Sequence, residues 1–281
     1  MRHDRAVPKE IGVVGGRGKM GRLLTRLLDD AGYRVKVADL PDAPVSRAFV
    51  QQCDLIWLAV PYRRLEALLK RIGPWTRPNQ TVVDICSLKA DPIRWMLAHC
   101  HGEVIGCHPL FGPSVEGLND QVIFLCPGRA GRLLNWCGRF FRDRGARVVE
   151  VSPVQHDDLT AYVQAFRQLL LFCFGRTLMA EQFDLSARLD VSGPWFGGLV
   201  EMLGHQLKQD PRLYTELAID NPRAVQVFET FRQNVEETCR ILREGDHRAL
   251  VDRMKEVAGY LEITADAASA PPSDHCDKRW H

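Results

Sequence analysis

The sequence predicts an α/β fold, a parallel sheet with helical crossovers, followed by an all-helical half. Three observations carry this. Short apolar runs alternate with helix-spaced segments as far as residue 151, a glycine-rich turn follows the first run, and strand-like runs stop after it. The chain has 281 residues, 46% of them hydrophobic and 26% charged, enough to bury a core in one large or two modest domains. Its 37 basic against 35 acidic residues leave a formal charge of +2, too balanced for a chain whose main task is wrapping nucleic acid or coating an anionic membrane.

Residues 11–14 form an apolar run ending in glycines, and from Met20 to Leu28 apolar residues recur at helical spacing. Strands are expected at 33–38, 54–60 (DLIWLAV) and 81–85, with a helix at 65–72. Then follow a helix at 92–98, strands at 103–107 and 122–126, a basic helix at 129–144 and a strand at 147–151. Beyond residue 154 the periodicity is helical, with breaks at Ser192-Gly193-Pro194, Gln209-Asp210-Pro211, Asn221-Pro222 and Glu244-Gly245-Asp246. The expected organisation is a nucleotide domain over 10–152, a helical substrate and dimerisation domain over 153–267, and a disordered tail over 268–281. Within the helical half, residues 164–175 (QAFRQLLLFCFG) are apolar nearly all round from Leu169 onward, which predicts burial in a bundle or between subunits.

No apolar run reaches the roughly 18 residues of a membrane span, and no secretion signal opens the chain. The nine cysteines lack framework spacing, so reduced thiols in a cytoplasmic protein are expected.

Gly16-Arg17-Gly18-Lys19-Met20-Gly21 fits G-x-G-x-x-G between a strand and a helix, the setting in which backbone amides receive a pyrophosphate. The first glycine would allow the tight turn, the second the approach of phosphate, and the third close helix packing. Asp39 ends the next strand, where a carboxylate binds ribose hydroxyls and repels a 2′-phosphate, favouring NAD over NADP. Val60 and Pro61 close another strand at the same edge. A Rossmann-type dinucleotide-binding domain therefore heads the chain, with a ligand-free glycine turn as the competing reading.

His108 follows a buried strand at this cofactor edge, where removal of hydride from a carbinol carbon also requires a base for the hydroxyl proton. Ser87, after the neighbouring strand, is placed to orient the imidazole or the substrate, and Lys89 to hold a carboxylate. The group His99, Cys100, His101 and Cys107 matches no common zinc spacing, and Cys107 is expected to face the core, so no metal is expected. The arginines at 129, 132, 139, 142, 144 and 147 read as a solvated helix face rather than a nucleic-acid surface.

These residues resemble the prephenate dehydrogenase family, specifically the dehydrogenase half of chorismate mutase-prephenate dehydrogenases. The matching segments are Val13–Arg22, Asp84–Lys89, His108-Pro-Leu-Phe-Gly-Pro113, Val154-Gln-His-Asp157, Gln164-Ala-Phe-Arg167 and Gln209-Asp-Pro-Arg-Leu-Tyr214. The resemblance runs to about residue 267, with no mutase segment before it, so that second activity is not expected. It implies oxidative decarboxylation, in which hydride passes from C4 of a cyclohexadienol to NAD, CO2 leaves C1, and aromatisation drives the step. His108 falls on the family's catalytic histidine, Ser87 and Lys89 on the supporting segment, and the helical domain implies a homodimer.

The departures bear on the substrate. His205 stands where the family carries an arginine for the ring carboxylate, Gly197 where it carries a second arginine, and Gln168 where it carries a histidine. A neutral imidazole holds a dianion less firmly than a guanidinium, and Arg167, Arg176 or Arg188 would have to compensate. One branch of the family acts on 4-amino-4-deoxyprephenate, whose ammonium lowers the net negative charge; that substrate is the alternative to prephenate, with arogenate third. A catalytically silent nucleotide-binding homologue is the reading from another class, and the retained His108, Ser87 and glycine turn argue against it.

Overall fold

The computed structural model describes residues 7–39, 44–129, 131–185 and 193–268. Seven strands form one sheet in the order β2-β1-β3-β4-β5-β6-β7. They are β1 (Glu10–Val14), β2 (Arg34–Ala38), β3 (Leu55–Leu58), β4 (Thr81–Asp84), β5 (Glu103–Pro109), β6 (Val122–Arg129) and β7 (Arg147–Glu150). Strands β1 to β5 are mutually parallel. The expectation of a wholly parallel sheet fails at β6, which runs antiparallel to β5 before β7 resumes parallel to it. Residues 110–121 contain no crossover helix, so the chain turns back at the edge where β5 ends.

Helices cover both faces, which is why β3 is apolar and buried along its whole length. Helix α1 (Lys19–Asp29) inserts Leu24 and Leu28, and α5 (Leu134–Arg142) inserts Trp136, Phe140 and Phe141, into one apolar cluster. On the other face α3 (Tyr62–Ile72) contributes Leu65 and Leu69, and α4 (Ala90–His99) contributes Ile93 and Met96. The short α2 (Arg47–Gln52) was not anticipated, because it buries only Val50 and has no period to read.

The basic helix expected at 129–144 is shorter than that. Arg129 ends β6, and its guanidinium donates to the carbonyls of Leu97, Cys100 and Gly102 at the end of α4. The eight described cysteines are free and six of them are buried, Cys107 completely. No described helix is long and apolar enough to cross a membrane.

After β7 the chain is helical. Helix α6 (Pro153–Thr160) opens on a capping box between Ser152 and Gln155. It passes through a π-helical turn (Ala161–Phe166) into α7 (Arg167–Ala180). Then come α8 (Gly193–Leu207), α9 (Pro211–Ile219), α10 (Pro222–Glu244) and α11 (His247–Ala268), divided at the expected breaks at 209–211, 221–222 and 244–246. The chain forms two compact units, Met1–Val227 and Phe228–His281, so α6 to α9 belong to the same unit as the sheet. Arg188 and the expected tail beyond Ala268 lie outside the described residues.

The first βα turn corrects one assignment. The positive φ of 80° falls at Gly15, not Gly16, and Gly15 N–H donates to the Ala38 carbonyl. A Cβ on Gly16 would instead meet Val37 Cγ1 at 2.6 Å. At Gly21 a Cβ would overlap the Gly15 carbonyl oxygen, so helix and turn touch only because both residues are glycine. Gly21→Ala is expected to destabilise the fold by about 1–3 kcal/mol through overpacking against backbone, read as a lower urea midpoint; an unchanged midpoint would contradict this contact.

Candidate active site

Because β1, β3, β4 and β5 are parallel, their carboxyl ends share one edge, and the strand order reverses between β1 and β3. At that edge Gly18 caps α1 with no side-chain acceptor, and no acid lies in the helix's first turn. The amides of Lys19, Met20 and Gly21 thus open a helix whose positive end is not neutralised by its own side chains. Arg17 and Lys19 are exposed, and the Arg17 amide donates to Asp39 Oδ2 at 2.9 Å, tying the loop to the end of β2. Val60 and Pro61 follow β3, with Pro61 leading into α3. The fingerprint residues Gly16 to Gly21, Asp39, Val60 and Pro61 therefore share one edge, where the close approach of turn, helix and β3 backbone at Gly15 and Gly21 holds the helix's amino end against the sheet.

His108 lies near the end of β5, only 4% exposed. Its Nδ1 is 2.9 Å from His156 Nε2, and His156 Nδ1 is 2.7 Å from Asp157 Oδ1. An ionised carboxylate only accepts, so His156 Nδ1 donates to Asp157, its Nε2 accepts from His108 Nδ1, and the lone pair of His108 Nε2 is left for chemistry. Phe124, the residue opposite His108 on β6, packs edge-on against the His156 ring at 5.2 Å.

The sequence marked Val154-Gln155-His156-Asp157 as a family segment without assigning its residues a role. The signal was there in an adjacent acid and imidazole, but not the partner 48 residues away. Asp157 also accepts the amides of Lys89 (2.8 Å) and Ala90 (2.9 Å), capping α4 with the same carboxylate that orients His156.

Burial pushes the His108 pKa well below its ordinary value, and the nearby His156 and Lys89 add to the shift. Burial likewise lowers His156, against the opposing pull of its bond to Asp157. Both rings are neutral bases near pH 7.

Lys89 differs from expectation. Its side chain has no exposed surface, and its ammonium donates to the Asp84 carboxylate and, at 3.0 Å, to the carbonyl of Cys107, the residue before His108. Burial opposes that charge, and Asp84 together with Cys86 and Cys107 outweighs it, holding the lysine pKa above its ordinary value. A completely buried, paired ammonium braces the ends of β4 and β5 instead of meeting a substrate carboxylate. Ser87 is half-buried just beyond β4, and no hydrogen bond joins it to His108.

Gln168 is 6% exposed, and its backbone carbonyl accepts from Gln206 Nε2 at 2.9 Å. The side-chain oxygens of Gln164, Gln168 and Gln206 are buried without a donor among the described residues. His205, expected at the ring carboxylate, is instead solvent-facing in the single chain, 71% exposed and 3.6 Å from Glu201. Gly197 lies on the same helix, α8.

A dinucleotide cradle beside an oriented, neutral imidazole defines the class of a nucleotide-dependent oxidoreductase with a helical second half. Family profiles agree: the prephenate dehydrogenase nucleotide-binding domain matches residues 28–150 and the prephenate dehydrogenase dimerisation domain residues 152–256. The chain belongs to the prephenate dehydrogenase family.

Among curated relatives, the T-protein of Enterobacter agglomerans is 30% identical over 249 residues, 89% of this chain and 66% of the relative. This chain thus spans about two thirds of that protein's length. A 4-amino-4-deoxyprephenate dehydrogenase of Streptomyces pristinaespiralis is 24% identical over 89% of this chain and 90% of its own. The crystal structure of the prephenate dehydrogenase of A. aeolicus, in complex with hydroxyphenyl propionate and NAD+, superposes with a TM-score of 0.71 at 20% identity, covering 92% of this chain and 99% of that one, and confirms the fold.

The depressed histidines set a pH dependence of stability. The unfolded chain protonates both imidazoles as pH falls through about 6.5, while the folded chain resists until lower pH. Stability is therefore full above that value and declines below it. Urea midpoints should be lower at pH 5 than at pH 7, and His108→Asn should shrink the difference; an equal pH effect in the variant would remove His108 from this linkage.

Proposed function

We propose that the chain is an NAD-dependent dehydrogenase that oxidatively decarboxylates a prephenate-type cyclohexadiene to an arylpyruvate, with prephenate to 4-hydroxyphenylpyruvate, in aromatic amino acid biosynthesis, as the first reading. The observation that carries it is the Asp157–His156–His108 relay at the edge where the glycine cradle lies. Gly16 to Gly21 would hold the pyrophosphate and Asp39 the adenosine ribose, an acid there favouring NAD over NADP. Bound NAD supplies the hydride acceptor. His108 Nε2 takes the proton of the substrate C4 hydroxyl, and the charge that arises on its ring is stabilised through His156 by Asp157. Ser87, just beyond β4, would orient the hydroxyl, and Lys89 acts through the Cys107 carbonyl as a positioning residue.

The alternative is 4-amino-4-deoxyprephenate giving 4-aminophenylpyruvate in specialised metabolism, for which Gly197 and the exposed His205 at the family's arginine positions speak. The helical half is read as the homodimer interface, since α7 and α8 expose Phe172, Met179, Trp195 and Met202. A cytoplasmic location fits the buried free thiols.

Parallel assays with NAD and either prephenate, 4-amino-4-deoxyprephenate or arogenate, following NADH absorbance and identifying the product by mass, test the function. Prephenate is expected to give the highest kcat/KM. A clear advantage for the amino substrate would replace the first reading by the alternative, and no turnover of any would refute both.

Replacing His108 by Asn should lower kcat about 100-fold to 10,000-fold with little change in NAD affinity. Activity within about three-fold of the unmodified chain would end its assignment as the base.

A further inference from the structure

Building on the reading of His108 as the base, we propose that Asn221, at the elbow between α9 and α10, is a positioning residue that holds the Asp157–His156–His108 relay in place by donating to the Asp157 carbonyl. Asn221 is 2% exposed and uses both ends of its amide. Nδ2 donates to Asp157 O at 2.9 Å, 64 residues away, while Oδ1 accepts the Arg223 amide at 3.0 Å and so caps α10. The cap alone would be served equally by Asp or Ser. Only an amide side chain of this length also supplies the donor.

The acceptor lies at the point where the helix changes pitch. The Asp157 carbonyl accepts the Ala161 amide at the end of α6, and the π-helical turn begins at Ala161. Thr160 Oγ1 reaches the His156 carbonyl at 3.1 Å and the Asp157 carbonyl at 3.2 Å. With Asn221 it supplies the side-chain donors that hold this stretch of backbone. The Asp157 carboxylate is held separately, by the first amides of α4. Asn221 thus fixes the backbone of a residue whose side chain orients His156.

The elbow is itself anchored beside the cofactor edge. Asp220 meets the Arg63 guanidinium at 3.2 Å, and Arg63 lies in the first turn of α3, directly after Val60 and Pro61. Leu217 and Ala224 flank the elbow at 1% and 0% exposure and join the apolar cluster of Tyr62 and Leu65. One short connection therefore ties the strand end expected to face the nucleotide to the backbone carrying the base's partner.

Asn221→Asp and Asn221→Ser separate the two roles, since each keeps a capping oxygen and loses the donor to Asp157. Two readouts are used: steady-state kinetics, and NMR titration of the His108 imidazole in the ligand-free full chain. The expected result is a drop of about ten-fold in kcat at unchanged KM for NAD, with His108 titrating closer to 6.5 as its surroundings loosen around His156 and Lys89. Whichever variant folds decides the matter. A wild-type imidazole titration and kcat in either, with only a lower melting temperature, would reduce Asn221 to a helix cap and overturn the inference. If the unmodified chain turned over no substrate, the functional reading would fall, and the titration alone would then support or overturn the positioning role.

Discussion

The carboxylate of Asp157 is the constraint on which the site depends, because it meets two requirements with one group. It caps α4 through the amides of Lys89 and Ala90, and it accepts the Nδ1 proton of His156. Capping by a carboxylate is worth about 0.5–2 kcal/mol, a modest share of the stability of such a domain. The orientation of His156 is the larger consequence. Without an acceptor at Nδ1, His156 could place its proton on Nε2, and His108 Nδ1 would then have to accept rather than donate. The nitrogen available to a substrate would lose its lone pair. Local stability and catalytic protonation state are thus set by the same hydrogen bonds, and α4 cannot shift relative to α6 without altering the base.

Lys89 shows how sheet and site are joined. Its backbone amide contacts Asp157 while its ammonium lies between Asp84, at the end of β4, and the carbonyl preceding His108. Removing either member of such a buried pair costs far more than the pair itself contributes, because the remaining charge is left desolvated. The positive charge lies under the imidazole it braces, and opposes protonation of His108 while Asp157 favours protonation of His156. Under the proposed reading of His108, a base that is neutral at rest and compensated when charged follows from this arrangement.

Much of the architecture was legible in the sequence because burial on both faces writes itself as continuous apolar runs, such as the segment containing β3, and because glycine and proline punctuate the helical half. What escaped has physical reasons. Strand direction leaves no trace in periodicity, so β6 was not read as antiparallel. Arg129 looked like a helix residue because arginines on a helix face and an arginine collecting carbonyls at a helix end are the same letter. At the site, His108 was visible from its place at a strand end. His156 and Asp157 were visible only as a family segment, since their role exists through a contact between β5 and α6. Lysine is seldom fully buried, so nothing in the composition around Lys89 indicated that its charge was already taken. Gly15 was overlooked because the pattern Gly16-x-Gly18-x-x-Gly21 is complete without it, though the turn itself needs the positive φ one residue earlier.

The burial of Lys89 bears on substrate charge. With that ammonium neutralised by Asp84 and His205 exposed beside Glu201, neither expected group is available in the single chain to clamp a ring carboxylate. Arg167 and Arg176 are exposed on opposite sides of α7, a helix that also exposes Leu170, Phe172 and Met179. The dimerisation-domain profile covers this helix, and in the proposed homodimer a second copy would cover part of that surface. Desolvation there would strengthen any guanidinium–carboxylate contact relative to the same contact in water. A clamp completed only in the dimer would leave the nucleotide cradle and the histidine relay, both built within one chain, intact in the monomer. Under the proposed reading, substrate recognition would depend on assembly, while the histidine relay depends on Asp157 within one chain.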